Sequence, residues 1–360
     1  MDSILDSLRG SGQFGKAGGA AEKDYLGSDK IKISVVGVGG GGCNTVSRIM
    51  RSGIKSAETI AINTDMTHLR ITEANKRLLI GQNITRGLGA GGYPEVARKC
   101  AEASKDKIME AVGRSELVFL TAGMGGGTGT GAAPVVAEAC KKEGAIVVGM
   151  VTYPFNLERN RTEKARWGLD ELRKSCDTVV VIDNNRLVQY VPNLPMDQAF
   201  NVADEVVARA VRGIADTIMF PSLINIDFAD IRSIMGNGGV AMISVGEGKG
   251  TNKVEDAVSS TLEHPLLDVS YEGAKGALIH IAGGNNLTLS EATKIGEGVT
   301  NAFDNNANVI WGARLMPELG DKVVVTSIMT GVTSTQLLGN MDTEKQKHPV
   351  YEMVEELTWK

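Results

Sequence analysis

The stretch TAGMGGGTGTGAAP, Thr121–Pro134, decides how the rest of the sequence is interpreted. It follows an apolar run, ELVFLTAG, and leads into a helix-like one, GAAPVVAEAC. Glycine admits positive φ and lets another group approach the backbone, so several glycines between a strand and a helix can present consecutive N–H groups. Those groups and the helix dipole attract anions, which predicts a phosphate cradle rather than a flexible surface loop. The glycines of this stretch are Gly123, Gly125, Gly126, Gly127, Gly129 and Gly131.

Two further glycine-rich segments precede this stretch. GVGGGGCN, Gly37–Asn44, matches the GxGxxG pattern of dinucleotide-binding folds, and Asp65 follows the next apolar run as the acidic ribose ligand of such a fold would. That segment alone predicts an NAD-dependent dehydrogenase. With RGLGAGGYP, residues 86–94, the chain has three glycine loops, which suit a di- or triphosphate better. The pattern GxxxxGK followed by Ser or Thr does not occur, which excludes a P-loop NTPase.

Apolar and amphipathic segments alternate from Lys30 onwards, which indicates the fold class. KISVVGV, ETIAIN, ELVFLTAG, AIVVGMVTYP and DTVVVIDNN are typical of buried strands and are separated by helix-like stretches. This order predicts a Rossmann-like, doubly wound parallel sheet with its ligand loops at the carboxyl ends of the strands. The apolar periodicity of MDQAFNVADEVVARAVRGIADTIMF predicts a long central helix, and the strands beyond it predict a smaller α/β domain.

These patterns divide the chain into five segments. Residues 1–29 are predicted to be a flexible N-terminal extension, because they are rich in glycine, alanine and charge. Residues 30–194 form the ligand-binding domain, residues 195–222 the central core helix and residues 223–340 the C-terminal domain. Residues 341–360 form a tail, either a solvated end or a short partner-binding helix.

Charge and cysteine content exclude several classes of protein. The net charge of −5 over 360 residues gives no electrostatic footprint for nucleic acid. The four cysteines form no CxxC pair, which favours free thiols in a reducing compartment over disulfides or a zinc site. The sequence contains no run of 18 apolar residues and does not begin like a signal peptide. We therefore expect a soluble cytoplasmic protein without direct membrane insertion.

The motif GGGTGTG, Gly125–Gly131, is the signature of the tubulin/FtsZ superfamily. GVGGGGCN, GLGAGG, PFNLERNR and NIDFADI resemble the FtsZ loops for the nucleotide, the γ-phosphate, the ribose and catalysis, in the same order along residues 30–340. The chain thus resembles the prokaryotic cell-division GTPases of the FtsZ family, and ERNRTEKA is closer to archaeal members. The resemblance implies GTP or GDP bound with Mg²⁺, head-to-tail homopolymers and a cytoplasmic division ring at mid-cell.

The resemblance also assigns residues to the nucleotide. The loops at Gly39–Gly42 and Gly125–Thr130 would hold the α- and β-phosphates, and the loop at residues 90–92 would close over the γ-phosphate. Asn44, Asn184 and Asp204 would read guanine, since a carboxylate can accept hydrogen bonds from both N1–H and the 2-amino group. The full predicted set is Gly39, Gly40, Gly41, Gly42, Asn44, Ala90, Gly91, Gly92, Gly123, Gly125, Gly126, Gly127, Thr128, Gly129, Thr130, Glu158, Arg161, Asn184, Phe200 and Asp204.

The assignments of Phe200, of the Glu158–Arg161 pair and of the magnesium site have alternatives or qualifications. Phe200 would stack on the base, and the alternative is a core aromatic of a buried helix. Glu158 and Arg161 resemble the pair that contacts ribose and phosphate, although in many bacterial members the arginine lies one residue later, where Thr162 stands here. Magnesium would be held through the GTP phosphates. Asp65 could assist through water, or could be a simple turn carboxylate.

The catalytic residues implied by the resemblance lie in NIDFADI: Asn225, Asp227 and Asp230. In FtsZ-like proteins this loop projects from the far end of the central helix and completes the nucleotide site of the next subunit. From the residues alone, Asp227 and Asp230 are more typical of carboxylates that cap the start of a helix.

Two other functions compete with an assembling GTPase. A dehydrogenase would need a hydride-transfer site, but the four histidines are scattered and lie in no suggestive motif. A filament protein that binds GTP and hydrolyses little of it is disfavoured by the two aspartates. Attachment to a division site would require a membrane-anchoring adaptor as partner.

Overall fold

The computed structural model describes residues 31–190, 193–219, 222–224, 226–236, 240–263, 270–301 and 303–332. The predicted extension at residues 1–29, the tail at residues 341–360 and the candidate catalytic Asn225 lie outside the described residues.

A six-stranded sheet forms the first half of the described chain, and all of its strand pairs are parallel. The strand order is β3-β2-β1-β4-β5-β6, so the direction of winding reverses between β1 and β4. In folds of this type, ligands bind in the crevice at that reversal. The strands are β1 Ile33–Val38, β2 Glu58–Asn63, β3 Lys76–Leu79, β4 Leu117–Gly123, β5 Ile146–Tyr153 and β6 Thr178–Asp183.

Helices cover this sheet, and most of them match the predicted amphipathic stretches. They are α1 Gly39–Arg51, α2 Met66–Ile71, α3 Gln82–Thr85, α4 Pro94–Glu102, α5 Lys105–Val112, α6 Thr128–Lys142, α7 Arg159–Ser175 and α8 Asn184–Tyr190. The pattern of VARKCAEASKDKIMEAV, residues 96–112, predicts one continuous helix, and that prediction is wrong because α4 and α5 are separate. Ser104 leaves helical geometry between them, and its hydroxyl accepts a hydrogen bond from the Gly81 N–H at 3.1 Å.

The predicted central helix is α9, Met196–Met219, whose 24 residues span about 36 Å. Its buried side chains recur at helical spacing, which explains why the sequence pattern was so clear. These side chains are Ala203, Val207, Ala210, Val211 and Ile214. The helix packs against α1 of the first half and against strands of the second half, so it contacts both halves.

A four-stranded sheet forms the second half, in the order β7-β10-β8-β9. β10 is antiparallel to β7 and β8, and β8 is parallel to β9. Its elements are α10 Phe228–Met235, β7 Ala241–Lys249, α11 Lys253–Leu262, β8 Gly276–Gly283, α12 Leu289–Thr300, β9 Asn308–Leu315 and β10 Lys322–Thr330. A bridge between Val179 and Val240 and a 3.1 Å hydrogen bond from Thr178 Oγ1 to the Met235 carbonyl join the two halves.

The predicted fold class is confirmed: a Rossmann-like parallel sheet, a long central helix and a smaller α/β domain. Within the described residues, no helix combines the length and apolarity needed to cross a bilayer.

Candidate functional site

A cleft of about 580 Å³ opens at the carboxyl ends of the first sheet. The segments that follow β1, β2, β4, β5 and β6 form its walls, and the first turns of α9 close one side. Of the predicted nucleotide ligands, the cleft is lined by Gly40, Gly41, Asn44, Gly91, Gly123, Gly126, Gly127, Thr128, Gly129, Glu158, Arg161, Asn184, Phe200 and Asp204, together with Asp65. The predicted residues that do not line it are Gly39, Gly42, Ala90, Gly92, Gly125 and Thr130.

Several loop glycines are required because the loops pack backbone against backbone. A Cβ on Gly39, which has a φ of +74°, would lie 2.6 Å from the Gly129 nitrogen. A Cβ on Gly129 would lie 2.5 Å from the Gly123 carbonyl oxygen, and one on Gly127 would lie 3.0 Å from the Ala90 Cβ. The three glycine-rich segments therefore form one compact floor, which a single side chain at these positions would disrupt.

Gly40 and Gly126 have no such reason to be glycine. Both line the cleft and neither has a left-handed φ. Apart from the adjoining backbone, a Cβ on either would meet no atom of the described residues within 4 Å. A side chain at either position would occupy open space beside the loop backbone, where backbone N–H groups and the helix N-termini favour an anion. The glycines of the opening stretch thus serve two purposes, since some allow the loops to pack and others leave room for a ligand.

The two threonines of the GGGTGTG motif differ in position. Thr128 begins α6 and lines the cleft, where its hydroxyl lies 2.7 Å from the Thr64 hydroxyl. Thr130 is fully buried, and its hydroxyl accepts a hydrogen bond from the Gly125 N–H at 2.8 Å. The structure therefore gives the Thr130 hydroxyl a role within the loop, because the Gly125 N–H needs an acceptor there.

The end of the cleft nearest α9 has the features of a base pocket. The Phe200 ring is 39% exposed and meets Phe155 edge to face, with ring centroids 5.8 Å apart. That exposure excludes the alternative of a fully buried core aromatic. Asn184, the first residue of α8, is 9% exposed, and its Oδ1 has no hydrogen-bond partner among the described residues. A buried amide oxygen beside the cleft with no partner of this kind suits a ligand with N–H donors.

Asp204 is the buried carboxylate of this pocket. Burial raises the pKa of its carboxyl above the usual range, while a hydrogen bond from Thr45 and the nearby Arg48 guanidinium oppose that rise. The Thr45 hydroxyl donates to Oδ1 at 2.7 Å, and Arg48 Nε lies 3.7 Å from Oδ2. The Arg48 contact is a charge interaction only, since that Nε has no hydrogen-bond partner among the described residues. Thr45 is therefore the direct partner of Asp204.

Glu158 and Arg161 lie together on the wall contributed by the first turn of α7. They form an ion pair, and Glu158 Oε1 also accepts a hydrogen bond from the Phe155 N–H at 3.1 Å. The Arg161 side chain is 55% exposed, so its guanidinium is accessible from the cleft.

Asp65 caps α2, since its Oδ1 accepts a hydrogen bond from the His68 N–H at 3.0 Å. The interpretation of Asp65 as a turn carboxylate is therefore confirmed, although the residue also lines the cleft. Within the described residues, no group of three or more His, Cys, Asp or Glu side chains is arranged to hold a metal ion.

Several cleft residues were missed by the sequence analysis. They are Thr45, Asn63, His68, Leu88, Gly89, Thr121, Ala122, Met124, Thr152, Pro154 and Ala203. Most lie at the carboxyl end of a parallel strand or just beyond it, so the rule that ligands bind there would have found them. Thr45 and Ala203 lie inside helices and gave no such signal.

Asp227 and Asp230 do not line the cleft of their own chain. They form a capping box at the start of α10: Asp227 Oδ1 accepts from the Asp230 N–H at 2.8 Å, and Asp230 Oδ2 accepts from the Asp227 N–H at 3.2 Å. Their capping role is confirmed. The 16 residues from Asp204 to Met219 span about 22 Å along the helix axis, and the box follows the end of α9 in the chain.

Comparison with known proteins identifies the same two halves. The family model of the Tubulin/FtsZ GTPase domain matches residues 32–192, and that of the FtsZ C-terminal domain matches residues 239–333. Cell division protein FtsZ 2 of Methanocaldococcus jannaschii is 56% identical over 328 residues, 90% of this chain and 86% of that protein. Its Haloferax volcanii counterpart is 52% identical over 315 residues, 88% of this chain and 78% of that protein.

A solved structure agrees with these sequence matches. The empty FtsZ dimer of M. jannaschii has a TM-score of 0.80 and 45% identity to this chain, covering 90% of this chain and 96% of that one. Fold, cleft and sequence thus lead to one conclusion: the chain belongs to the FtsZ family of cell-division proteins, the prokaryotic, tubulin-like GTPases.

Proposed function

We propose that this chain is an assembly-dependent GTPase that polymerises head to tail into filaments and forms the cell-division ring. GTP occupies the cleft of one subunit, and the Asp227–Asp230 end of the next subunit completes the active site. The observation that carries the proposal is the separation of the two parts. The cleft has the features of a nucleotide pocket, while an exposed carboxylate box lies beyond the other end of α9.

The family resemblance gives the proposed position of the nucleotide, and the residues that line the cleft support it. Gly40, Gly41 and the Gly126–Gly129 loop hold the α- and β-phosphates, and the loop at residues 90–92 closes on the γ-phosphate. Asp204, with Asn44 and Asn184, reads guanine beside Phe200. Mg²⁺ prefers oxygen ligands, so the phosphate oxygens would hold it. Asp65 lines the cleft and would contact the ion through water. Bound there, the ion would neutralise charge on the phosphates.

Asp227 and Asp230 can act on water because each carboxylate uses one oxygen in the capping box. In a neighbouring subunit, the second oxygens would orient the attacking water and accept its proton, which is the contribution expected of a general base. We include Asn225 as a neutral hydrogen-bonding group of the same loop. The three acidic residues of the described chain that line the cleft have other contacts: Asp65 caps a helix, Glu158 pairs with Arg161, and Asp204 accepts a hydrogen bond from Thr45.

Exposed leucines near the cleft and near the Asp227–Asp230 capping box support a head-to-tail contact. Leu88, which lines the cleft, is 84% exposed, and Leu157, next to Glu158, is 82% exposed. Leu223, four residues before Asp227, is 70% exposed. A contact between two different surfaces of the same chain is heterologous, so it extends into a filament instead of closing on itself. The M. jannaschii FtsZ structure described above is that of a dimer, which supports self-association.

GTP turnover per subunit should therefore rise steeply with protein concentration. Below the assembly threshold each cleft lacks its aspartates, and above it almost every internal cleft is complete. Phosphate release measured from dilute to concentrated protein, with light scattering on the same samples, tests this. A turnover per subunit that stays constant across the threshold would contradict the proposal.

The same samples separate the competing functions. A dehydrogenase would be stabilised against heat by NADH and not by GTP. For a filament protein that hydrolyses little GTP, the light-scattering signal of the polymer would last as long with GTP as with a slowly hydrolysed analogue. For an assembling GTPase, the signal would decay sooner with GTP.

The exposed leucines give a second test of the contact. Leu88→Ser and Leu223→Ser should each raise the critical concentration for assembly about tenfold, since each removes a large apolar side chain from the proposed interface. The matched control is Leu289→Ser, because Leu289 is 71% exposed and begins α12, which packs against α11 and β9. Sedimentation measures assembly, and GDP affinity shows whether Leu88→Ser disturbs the cleft. Equal critical concentrations in all three variants would exclude these leucines from the contact.

We also propose the division of labour predicted from the sequence. Residues 30–194 bind GTP, residues 195–222 transmit its state, and residues 223–340 activate hydrolysis in the next subunit. The ring would form in the cytoplasm at mid-cell, attached through a membrane-anchoring adaptor. A fluorescent fusion that stays diffuse in dividing cells would contradict this localisation.

A further inference from the structure

We propose that Thr45 is a positioning residue for guanine recognition: its hydroxyl keeps the Asp204 carboxylate ionised and turned to accept the N–H donors of the base. The inference rests on the proposed function, which assigns Asp204 to guanine. It concerns a residue of α1 that no sequence motif indicated, and it makes α1 part of the base pocket as well as of the phosphate cradle.

The geometry around Asp204 carries this inference. Thr45 is 3% exposed, lines the cleft and donates to Asp204 Oδ1 at 2.7 Å, across the interface between α1 and α9. The same hydroxyl lies 3.2 Å from the Gly41 carbonyl oxygen within α1. Its single hydrogen can serve only one acceptor well, and the carboxylate contact is the shorter and charge-assisted one.

The charges around Asp204 are few, so the hydroxyl has a large effect. Arg48 of α1 is the charged side chain that faces it, at 3.7 Å and without a hydrogen bond. On α9 itself, Glu205 pairs with Arg209 at 2.9 Å, and Asn201 accepts a hydrogen bond from Arg48. Because burial raises the pKa of Asp204, the charged form depends on the Thr45 hydrogen bond and, less directly, on Arg48.

The chemical consequence is specific to guanine. An ionised carboxylate can accept from both N1–H and the 2-amino group of the base, whereas a protonated one presents an O–H that opposes those donors. A hydrogen bond to Oδ1 also restricts the rotation of the carboxylate, whose Oδ2 lies 3.7 Å from Arg48 Nε. Without the Thr45 hydroxyl, the carboxyl is protonated at a higher pH and rotates more freely.

The experiment compares Thr45→Val, which keeps the β-branched shape, with Thr45→Ser, which keeps the hydroxyl. GDP affinity is measured below the assembly threshold from about pH 5 to about pH 8, so that assembly does not contribute. Thr45→Val should weaken GDP binding about tenfold near neutral pH. It should also move the acid limb of the affinity profile to higher pH, because the Thr45 hydrogen bond lowers the pKa of Asp204. Thr45→Ser should follow the wild type.

Inosine diphosphate gives an independent readout, because inosine lacks the 2-amino group. Thr45→Val should reduce the preference for GDP over inosine diphosphate, and Thr45→Ser should retain it. Phosphate protonation is common to all variants and cancels in the comparison. Circular dichroism and Tm verify that each variant is folded.

Two outcomes are distinguishable failures. If Thr45→Val binds GDP more weakly but keeps the wild-type acid limb and base preference, Thr45 only supports α1 through the Gly41 carbonyl, and the inference is overturned. If Asp204→Ala binds GDP as tightly as the wild type, the assignment of guanine to Asp204 is wrong, and the proposed function must change with it.

Discussion

Asp230→Asn is expected to lower GTP turnover per subunit by about 100-fold or more, and Asp227→Asn by a similar factor, while GTP binding and assembly remain. Both substitutions remove a carboxylate that would orient and deprotonate water in the neighbouring cleft. Asparagine is as good an N-cap as aspartate, so Asp227→Asn keeps the start of α10. Neither residue lines its own cleft, so nucleotide affinity should not change. Phosphate release, GDP affinity and sedimentation measure the three properties separately.

The chain contains a control for the capping role itself. Thr288 and Glu291 form a second capping box at the start of α12, where Glu291 Oε2 accepts from the Thr288 N–H at 2.9 Å. Glu291→Gln changes a carboxylate to an amide in the same motif and should leave turnover within about twofold of the wild type. If Glu291→Gln lowered turnover as much as Asp230→Asn, the effect would be one of fold stability and not of catalysis.

Mixing two inactive variants tests whether the aspartates act between subunits. At a GTP concentration well below its raised Kd, Gly40→Ala should hold little GTP but retains its aspartates, whereas Asp230→Asn holds GTP but lacks one of them. In a mixed filament, the intact aspartates of the first would complete clefts of the second, and turnover should recover well above the sum of the two. A mixture no more active than its components would indicate that the aspartates do not act across the contact.

Elements whose burial requires an apolar pattern in the local sequence could be predicted, and elements without that pattern could not. β1, β4 and α9 were readable because both faces of a central parallel strand, or one face of a long helix, must be apolar. β3 was missed because KRLL lies at the sheet edge and is only partly buried. The break between α4 and α5 was missed because its cause, the Gly81 N–H, lies 23 residues earlier in the chain.

The same distinction applies to the site. The glycine-rich loops are local in sequence, so their residues could be assigned before the structure was known. Thr45 was not predicted, because its partner Asp204 lies 159 residues away and only the packing of α1 against α9 brings them together. The sequence also gave no means of distinguishing Thr128 from Thr130, since a three-dimensional loop decides which hydroxyl is needed by the Gly125 N–H.

Gly40→Ala and Gly126→Ala should each lower GTP affinity about 100-fold without destabilising the ligand-free protein. Apart from the adjoining backbone, an added Cβ at either position meets no atom of the described part of the chain within 4 Å, so the fold accommodates it. Gly40 lies in the first turn of α1, where alanine favours the helix by up to about 1 kcal/mol. The Tm of ligand-free Gly40→Ala should thus be unchanged or about 2 °C higher.

Gly296 provides the matched control for this pair of effects. It lies within α12, and a Cβ there would also meet no protein atom within 4 Å. Gly296→Ala should therefore stabilise the ligand-free protein as Gly40→Ala does, and leave GTP affinity at the wild-type value. Thermal unfolding with and without GDP, together with direct measurement of GDP affinity, separates the two quantities.

Stability of the ligand-free protein and affinity for nucleotide are expected to change differently, and this difference shows why each glycine is required. A glycine retained for backbone conformation or packing loses stability when it is replaced, and any loss of binding then follows from the damaged fold. A glycine retained for a ligand gains or keeps stability and loses only binding. If Gly40→Ala lowered the ligand-free Tm, the empty space beside α1 would not be open as described. If it kept full GDP affinity, the phosphates would lie elsewhere in the cleft.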